Sequence, residues 1–238
     1  MALIFDLILR LALAPLLVLQ GLMTRKRAAS LPEAAGPKHG TCGKGQPLRV
    51  LLLGDSSMAG VGVGDLDQAL PGALCRALPK GVAIHWHLIA RIGATSRDAI
   101  DMIPHDQTYD IAVLGLGAND VTHLVPRLVW LRQQRRLINT LRVRTGAQHV
   151  VMTGLPPIGR FPLLPQPLRL VLGREADRFD RALKRMCARD ETLSYVTLDL
   201  PNVADDMAED GFHPGPQIFA LWGQEVAAAI TTWREHIR

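Results

Sequence analysis

Arg49-Val50-Leu51-Leu52-Leu53-Gly54-Asp55-Ser56-Ser57 decides how this chain reads. An unbroken apolar run of strand length, stopped by a glycine, describes a strand buried on both faces that ends in a tight turn. Four more runs of this kind follow, at Ala83–Ala90, Asp110–Leu116, His149–Thr153 and Tyr195–Leu198. Helical patterns separate them at Leu66–Leu78, Ser96–Ile103, Pro126–Arg144 and Pro167–Arg189, and a last one closes the chain at Pro216–Ile237. The alternation predicts an α/β fold with a parallel five-stranded sheet and helices on both sides, because parallel neighbours need crossovers and crossovers are right-handed. Ligands of such sheets sit outside the carboxyl ends of the strands, so the turn at Ser56 lies where chemistry is expected.

Working outward, 238 residues suit one α/β domain plus an extra segment. The composition, 48% hydrophobic but only 5% aromatic, predicts an aliphatic core of Leu, Val, Ile and Ala. A net charge of +5 would suit an anionic partner, yet the basic residues are dispersed and no nucleic-acid reader motif accompanies them, so no nucleic-acid partner is expected. The densest cluster, Arg127, Arg132, Arg135, Arg136, Arg142 and Arg144, occupies more than one helical face and reads as a solvated surface, with an anionic membrane as the intermediate possibility. Cys42, Cys75 and Cys187 are widely separated and form no CxxC pair, so neither a disulfide framework nor a zinc ribbon is expected.

Met1 to Met23 is apolar except for Asp6 and Arg10, contains Pro15, and is followed by Thr24-Arg25-Lys26-Arg27. The charge follows the apolar run instead of preceding it, which argues for an uncleaved membrane-anchor-like helix over residues 1–27. The uninterrupted part, Leu11 to Met23, is about 13 residues, a length of interfacial or buried helices; a span needs ~20 and must include the start of the chain, with Asp6 and Arg10 paired on one face. If it spans, the basic cluster predicts a cytoplasmic catalytic domain; a periplasmic or soluble domain, with the helix packed on it, is the alternative. Residues 28–46, rich in Pro, Gly, Ala and Lys, read as a linker, and residues 47–238 as the folded domain.

Ser56 alone signals little, since serine in a glycine-containing turn usually caps or turns. Near the end of the chain stands Asp210-Gly211-Phe212-His213-Pro214, also in a loop and ahead of the last helix. A nucleophilic serine needs a base within hydrogen-bond reach, and the base needs an acceptor that fixes its tautomer. Ser56, His213 and Asp210 can fill those roles. The third strand delivers Asn119, a neutral donor, in Gly117-Ala118-Asn119-Asp120, and the second is followed by Gly93, where a backbone N–H could approach a substrate oxygen. Taken singly, Gly93 is a loop glycine and Asn119 a cap or turn residue.

Together, Gly54-Asp55-Ser56-Ser57, Gly93, Gly117-Ala118-Asn119-Asp120 and Asp210-Gly211-Phe212-His213 resemble, in chain order, the four blocks of the SGNH (GDSL-type) hydrolases. The resemblance runs from Leu48 to the C-terminus. It implies a three-layer α/β/α sandwich similar to flavodoxin, and an oxyanion hole made of the Ser56 N–H, the Gly93 N–H and the Asn119 side chain. It also implies hydrolysis of carboxylic esters, short or lipid-like, through an acyl-enzyme at Ser56, with no metal and no organic cofactor. A carbohydrate O-deacetylase or acyltransferase of the same fold is the nearest alternative, and an inactive membrane-tethered binding protein the more distant one. Ser57 stands where the family's name-giving motif has Leu, and the membrane-like N-terminus lies outside the family core.

Other signals carry less. Gly60-Val61-Gly62-Val63-Gly64 lacks dinucleotide-loop spacing and reads as a flexible loop near the site. Gly43-Lys44 has no following Ser or Thr and precedes the first strand, and Ser56 has no G-x-S-x-G around it, which argues against the α/β-hydrolase superfamily. His85 and His87 share one strand face but lack a third ligand. The proline-rich stretch Leu155 to Pro165 falls on the catalytic edge and is expected to line an acyl pocket or touch a bilayer.

Overall fold

The computed structural model describes residues 13–27, 31–198 and 203–236. Helix α1 (Ala14–Arg27) precedes a six-stranded sheet, β1 (His39–Gly43), β2 (Pro47–Gly54), β3 (Ala83–Ala90), β4 (Ile111–Gly115), β5 (His149–Thr153) and β6 (Leu193–Val196). Between and after the strands come α2 (Leu70–Ala77), α3 (Ser96–Met102), α4 (Ala118–Thr122), α5 (Arg127–Thr145), α6 (Leu168–Cys187), α7 (Val203–Asp206) and α8 (Pro216–His236). The strand order is β1-β3-β2-β4-β5-β6, parallel except for β1, which runs antiparallel to β3. Without β1 this is the flavodoxin-like order, whose switch point lies beside the first parallel strand, here β2.

The unbroken apolar run of β2 has a direct physical cause. Successive strand residues face opposite sides, and here both sides are covered. Leu51 and Leu53 join Ala112, Leu114, Leu137 and Phe179 under α3, α5 and α6. Val50 and Leu52 join Val113, Leu74, Phe219 and Val226 under α2 and α8. Every other residue being polar would leave one of these layers without a wall.

Two expectations need correction in the stretch from 28 to 46. The part of it that is described is not a plain linker: His39–Gly43 forms β1, and Ala35 bridges to Asp65. The sheet therefore has six strands where five were expected. Nor are the cysteines all free, since Cys42 in β1 and Cys75 in α2 form a disulfide with Cα atoms 5.7 Å apart, while Cys187 is free and buried. His-Gly-Thr-Cys-Gly has no apolar alternation to announce a strand; pairing with β3 and the bond to α2 hold it.

α1 lies against the domain. Leu17 packs on the core, the Gln20 side-chain amide donates to Gln166 O at 2.7 Å, and its carbonyl accepts from Leu168 N at 3.1 Å, at the start of α6. Leu16, Val18, Leu19, Leu22 and Met23 remain exposed. Among the described residues no helix is long and apolar enough to cross a membrane. Asp6 and Arg10 lie outside the described residues.

Candidate active site

Three loops meet at the carboxyl edge on either side of the switch point. Ser56 follows β2, Gly93 follows β3 and Asn119 opens α4 just after β4. Backbone bonds tie the loops together: Asp55 N donates to Gly115 O at 3.3 Å and Arg91 N to Gly54 O at 3.2 Å. Parallel pairing in register, with Gly54 opposite both Ala90 and Gly115, brings the three strand ends level. The fourth loop arrives from the far end of the chain. Gly62 lets it dock, because a Cβ there would stand 2.4 Å from Pro214 O, and its φ of +109° is one that side-chain-bearing residues rarely adopt.

The outcome is a continuous hydrogen-bond chain. Ser56 Oγ lies 3.0 Å from His213 Nε2, and His213 Nδ1 lies 2.5 Å from Asp210 Oδ2. The second Asp210 oxygen accepts from the backbone N–H of Phe212 and of His213, both at 2.9 Å. Burial pushes the Asp210 carboxyl upward, but the His213 ring and these two N–H groups outweigh it, so the group lies below the usual carboxylate range. An ionised acceptor there suits the His213 tautomer that carries its proton on Nδ1, and in that tautomer Nε2 faces Ser56 Oγ as an acceptor.

Gly93 has a φ of +76° and open space where a Cβ would be, so its backbone borders free volume. Asn119 Nδ2 donates to Ala94 O at 3.0 Å and, more weakly, to Asp55 Oδ2 at 3.3 Å. The structure thus brings Ser56, Asp210, His213, Gly93 and Asn119 to one edge, with Asn119 anchored on the loop that carries Gly93.

Two acidic residues at this edge escaped the reading of the sequence. Asp55 is only 4% exposed. It accepts from Ser57 N at 3.0 Å, and burial raises its pKa to about 6 despite that bond. Asp120 is fully buried and accepts from the backbone N–H and hydroxyl of Ser96, at 3.0 and 2.8 Å. Ser96 Oγ in turn accepts from Trp130 Nε1 at 3.0 Å and Gln134 Nε2 at 2.7 Å. This network bolts the Asn119 turn to α3, whose capping box of Thr95 and Asp98 holds the Gly93 loop. Both aspartates stood next to named residues, but acidic side chains just after a strand end give no sign of burial.

Beside the site lies an apolar cavity of about 50 Å³, lined among others by Ser57, Leu116, Phe161, Leu198, Phe212 and Trp222. Asp55 and Pro214 also border it, so it flanks both Ser56 and His213. The proline-rich stretch contributes Pro156 and Phe161, as expected for a pocket wall. Among the described residues no group of His, Cys, Asp or Glu could hold a metal; His85 Nδ1 contacts Thr41 Oγ1 and His87 Nδ1 contacts Tyr109 OH.

A flavodoxin-like sandwich with these four blocks at its carboxyl edge is the architecture of an SGNH-type ester-bond hydrolase. The chain belongs to the GDSL-like lipase/acylhydrolase family, whose match covers residues 52–221. Its fold is shared with TesA (TM-score 0.60, 20% identity, covering 77% of this chain and 98% of that one). It is also shared with the psychrotrophic esterase EstA from Pseudoalteromonas sp. (0.59, 19%, 79% and 98%). A third similar structure is a carbohydrate esterase family 2 enzyme with a carbohydrate-binding domain from Corynascus thermopiles (0.59, 16%, 85% and 68%). No curated protein sequence matches the chain.

Proposed function

We propose that the chain is a serine esterase that cleaves esters of short acyl groups through an acyl-enzyme. The observation that carries this reading is the unbroken chain from Ser56 Oγ through His213 to an ionised Asp210. Ser56 Oγ passes its proton to His213 Nε2 and attacks the ester carbonyl carbon. The carbonyl oxygen becomes an oxyanion, held by the N–H groups of Ser56 and Gly93 and by Asn119 Nδ2, which exchanges its weaker 3.3 Å bond to Asp55 for it. As the tetrahedral species collapses, His213 returns the proton to the departing alkoxide and the acyl group stays on Ser56. Water then loses a proton to His213, attacks the acyl carbon, and the acid leaves as Oγ is reprotonated.

Acyl length follows from volume. The apolar cavity that borders the Ser56 and His213 loops is small, about 50 Å³, which favours a short acyl group over a long one. An acetyl group is equally short, and three similar structures are of carbohydrate esterases, which makes O-deacetylation of a carbohydrate the second reading. A fluorophosphonate probe should label Ser56 in the folded protein and not in Ser56→Ala; absence of labelling sinks the esterase reading. A p-nitrophenyl ester series should favour short acyl chains over long ones, and comparison with acetylated sugars and lysophospholipids separates the two readings.

Residues 1–27, mostly apolar up to Met23 and ending in Arg25-Lys26-Arg27, are proposed to hold the domain at a membrane, a reading supported by the exposed apolar side chains of α1. The Cys42–Cys75 bond favours an oxidising compartment for the domain, the opposite of the cytoplasmic side that the basic cluster predicts. Alkylation of denatured protein taken from cells should reveal one reactive thiol before reduction and three after; three at the outset would return the domain to a reducing compartment.

A further inference from the structure

Most of the exposed large apolar side chains of the folded domain are gathered at one end. Ile92 stands in the loop after β3, next to Gly93, and Leu124 follows α4 in the connection from β4. Leu128 and Val129 lie in the first turn of α5, Leu170 in the first turn of α6, and Leu221 in the second turn of α8. Each of these helices departs from the carboxyl edge, because each follows a parallel strand of one sheet. Among the described residues beyond α1, Val143 near the C-terminus of α5 is the large exposed apolar side chain at the other end.

Leu124 is the least explained by the domain itself. It is 72% exposed and has a φ of +56°, a left-handed conformation that is unfavourable for a leucine; its N–H donates to Val121 O at 3.0 Å, but its side chain gains little from the fold as it stands. α1 joins the same end, held by Gln20 at the start of α6 with most of its apolar residues exposed. Charge adds a direction. α5 carries six arginines and no acidic residue, and Arg127 and Arg132 of its first two turns have no ion-pair partner among the described residues. The aromatic residue of α5, Trp130, is fully buried and offers no stacking surface to a nucleic acid base.

We propose that the carboxyl edge is a docking face for an anionic phospholipid bilayer, with α1, the loop residues Ile92 and Leu124, and Leu128 at the start of α5 entering the interface and the mouth of the Ser56 site turned toward the lipid. The apolar side chains stand beside Arg127 and Arg132 of a polybasic helix, which adds attraction to anionic headgroups against the exposed Asp205 and Glu209 of the same edge. The orientation deepens the tethering reading of residues 1–27 and rests on it in part. Its chemical consequence is that the alcohol portion of the ester sits in or on the membrane while the short acyl group enters the cavity.

The test uses the full chain with an environment-sensitive fluorophore on Leu124→Cys, on Ile92→Cys or, as a control, on Val143→Cys. The native Cys42 and Cys75 are paired and Cys187 is buried, so the new thiol is the one that reacts. On vesicles of equal phosphatidylglycerol and phosphatidylcholine, positions 124 and 92 should shift to the blue and lose most of their iodide quenching, while 143 stays as quenchable as in solution. Vesicles of phosphatidylcholine alone should bind several-fold less protein, and Arg127→Glu with Arg132→Glu should bring the anionic vesicles down toward that level. Protein that sediments with vesicles while 124 and 92 remain quenchable refutes the orientation and leaves the tether standing. Protein that fails to sediment refutes both, and equal protection of 143 refutes an edge-on face.

Discussion

The turn after β2 and the loop before α8 each bury an aspartate at the same active-site edge, Asp55 at 4% and Asp210 at 7% exposure, and the fold moves the two in opposite directions. Burial raises both, as it does any carboxylate taken out of water. Around Asp55 it wins, and the group rises to about 6 although Ser57 N donates to it. Around Asp210 it loses, because the His213 ring and two backbone N–H groups donate to the carboxylate. Desolvation alone therefore says little about the work a carboxylate can do. The supply of donors decides which aspartate stays charged beside the base and which one sits near its titration point.

The largest expected effect breaks this comparison at the ionised end. Asp210→Asn should leave the loop folded but present the wrong face of His213 to Ser56, lowering kcat on p-nitrophenyl acetate by about 10⁴-fold. Asp55→Asn should cost far less, and an equal loss in both variants would show that the roles have been assigned to the wrong loop. Next in size, Asn119→Ala should lower kcat by about 10²–10³-fold with little change in KM, since it removes a donor needed mainly in the transition state.

A perturbation remote from both loops supplies the control. Reducing Cys42–Cys75, whose residues are 33 apart in sequence, should lower stability by about 3–4 kcal/mol on chain-entropy grounds and leave the contrast between the two carboxylates intact. Thermal melts with and without reductant measure it, and an altered pH profile of activity after reduction would contradict the separation.

The smallest effect has opposite sign in the two loops. A carboxyl whose folded pKa is raised from 3.8 to about 6 adds stability that is complete below the unfolded pKa and is lost as pH rises through the folded one. Asp55→Asn removes that loss, so the variant should gain on the order of 3 kcal/mol over wild type above about pH 7 and nothing below about pH 4. Asp210, held low, stabilises above its unfolded pKa and ceases to do so as pH falls through the folded one. Asp210→Asn should therefore lose stability at neutral pH and converge on wild type in acid. Melting curves across pH check both slopes.

Much of this was legible before any coordinates. The run from Val50 to Leu53 is apolar without interruption because helices cover both faces of its sheet, and that pattern alone implies parallel strands and a site at their carboxyl ends. Ser56, Gly93, Asn119, Asp210 and His213 could be named because each follows a strand or precedes a helix in a recognisable block. β1 could not, since an edge strand of glycines and polar residues needs no apolar period when a neighbour and a disulfide hold it. The Asp120–Ser96 pair, 24 residues apart, was invisible for a similar reason: its partners come from separate loops.

By itself, then, the sequence determined the α/β class, the edge on which the chemistry sits and the residue types available there, because periodicity and turn composition are local properties of a chain. The tertiary structure alone decided that Cys42 meets Cys75, that Asp55 rises while Asp210 falls, and that most of the exposed apolar residues, Val143 apart, share the active-site end. Each of those depends on which distant groups surround a side chain and on how far they exclude water from it, and no local pattern encodes that.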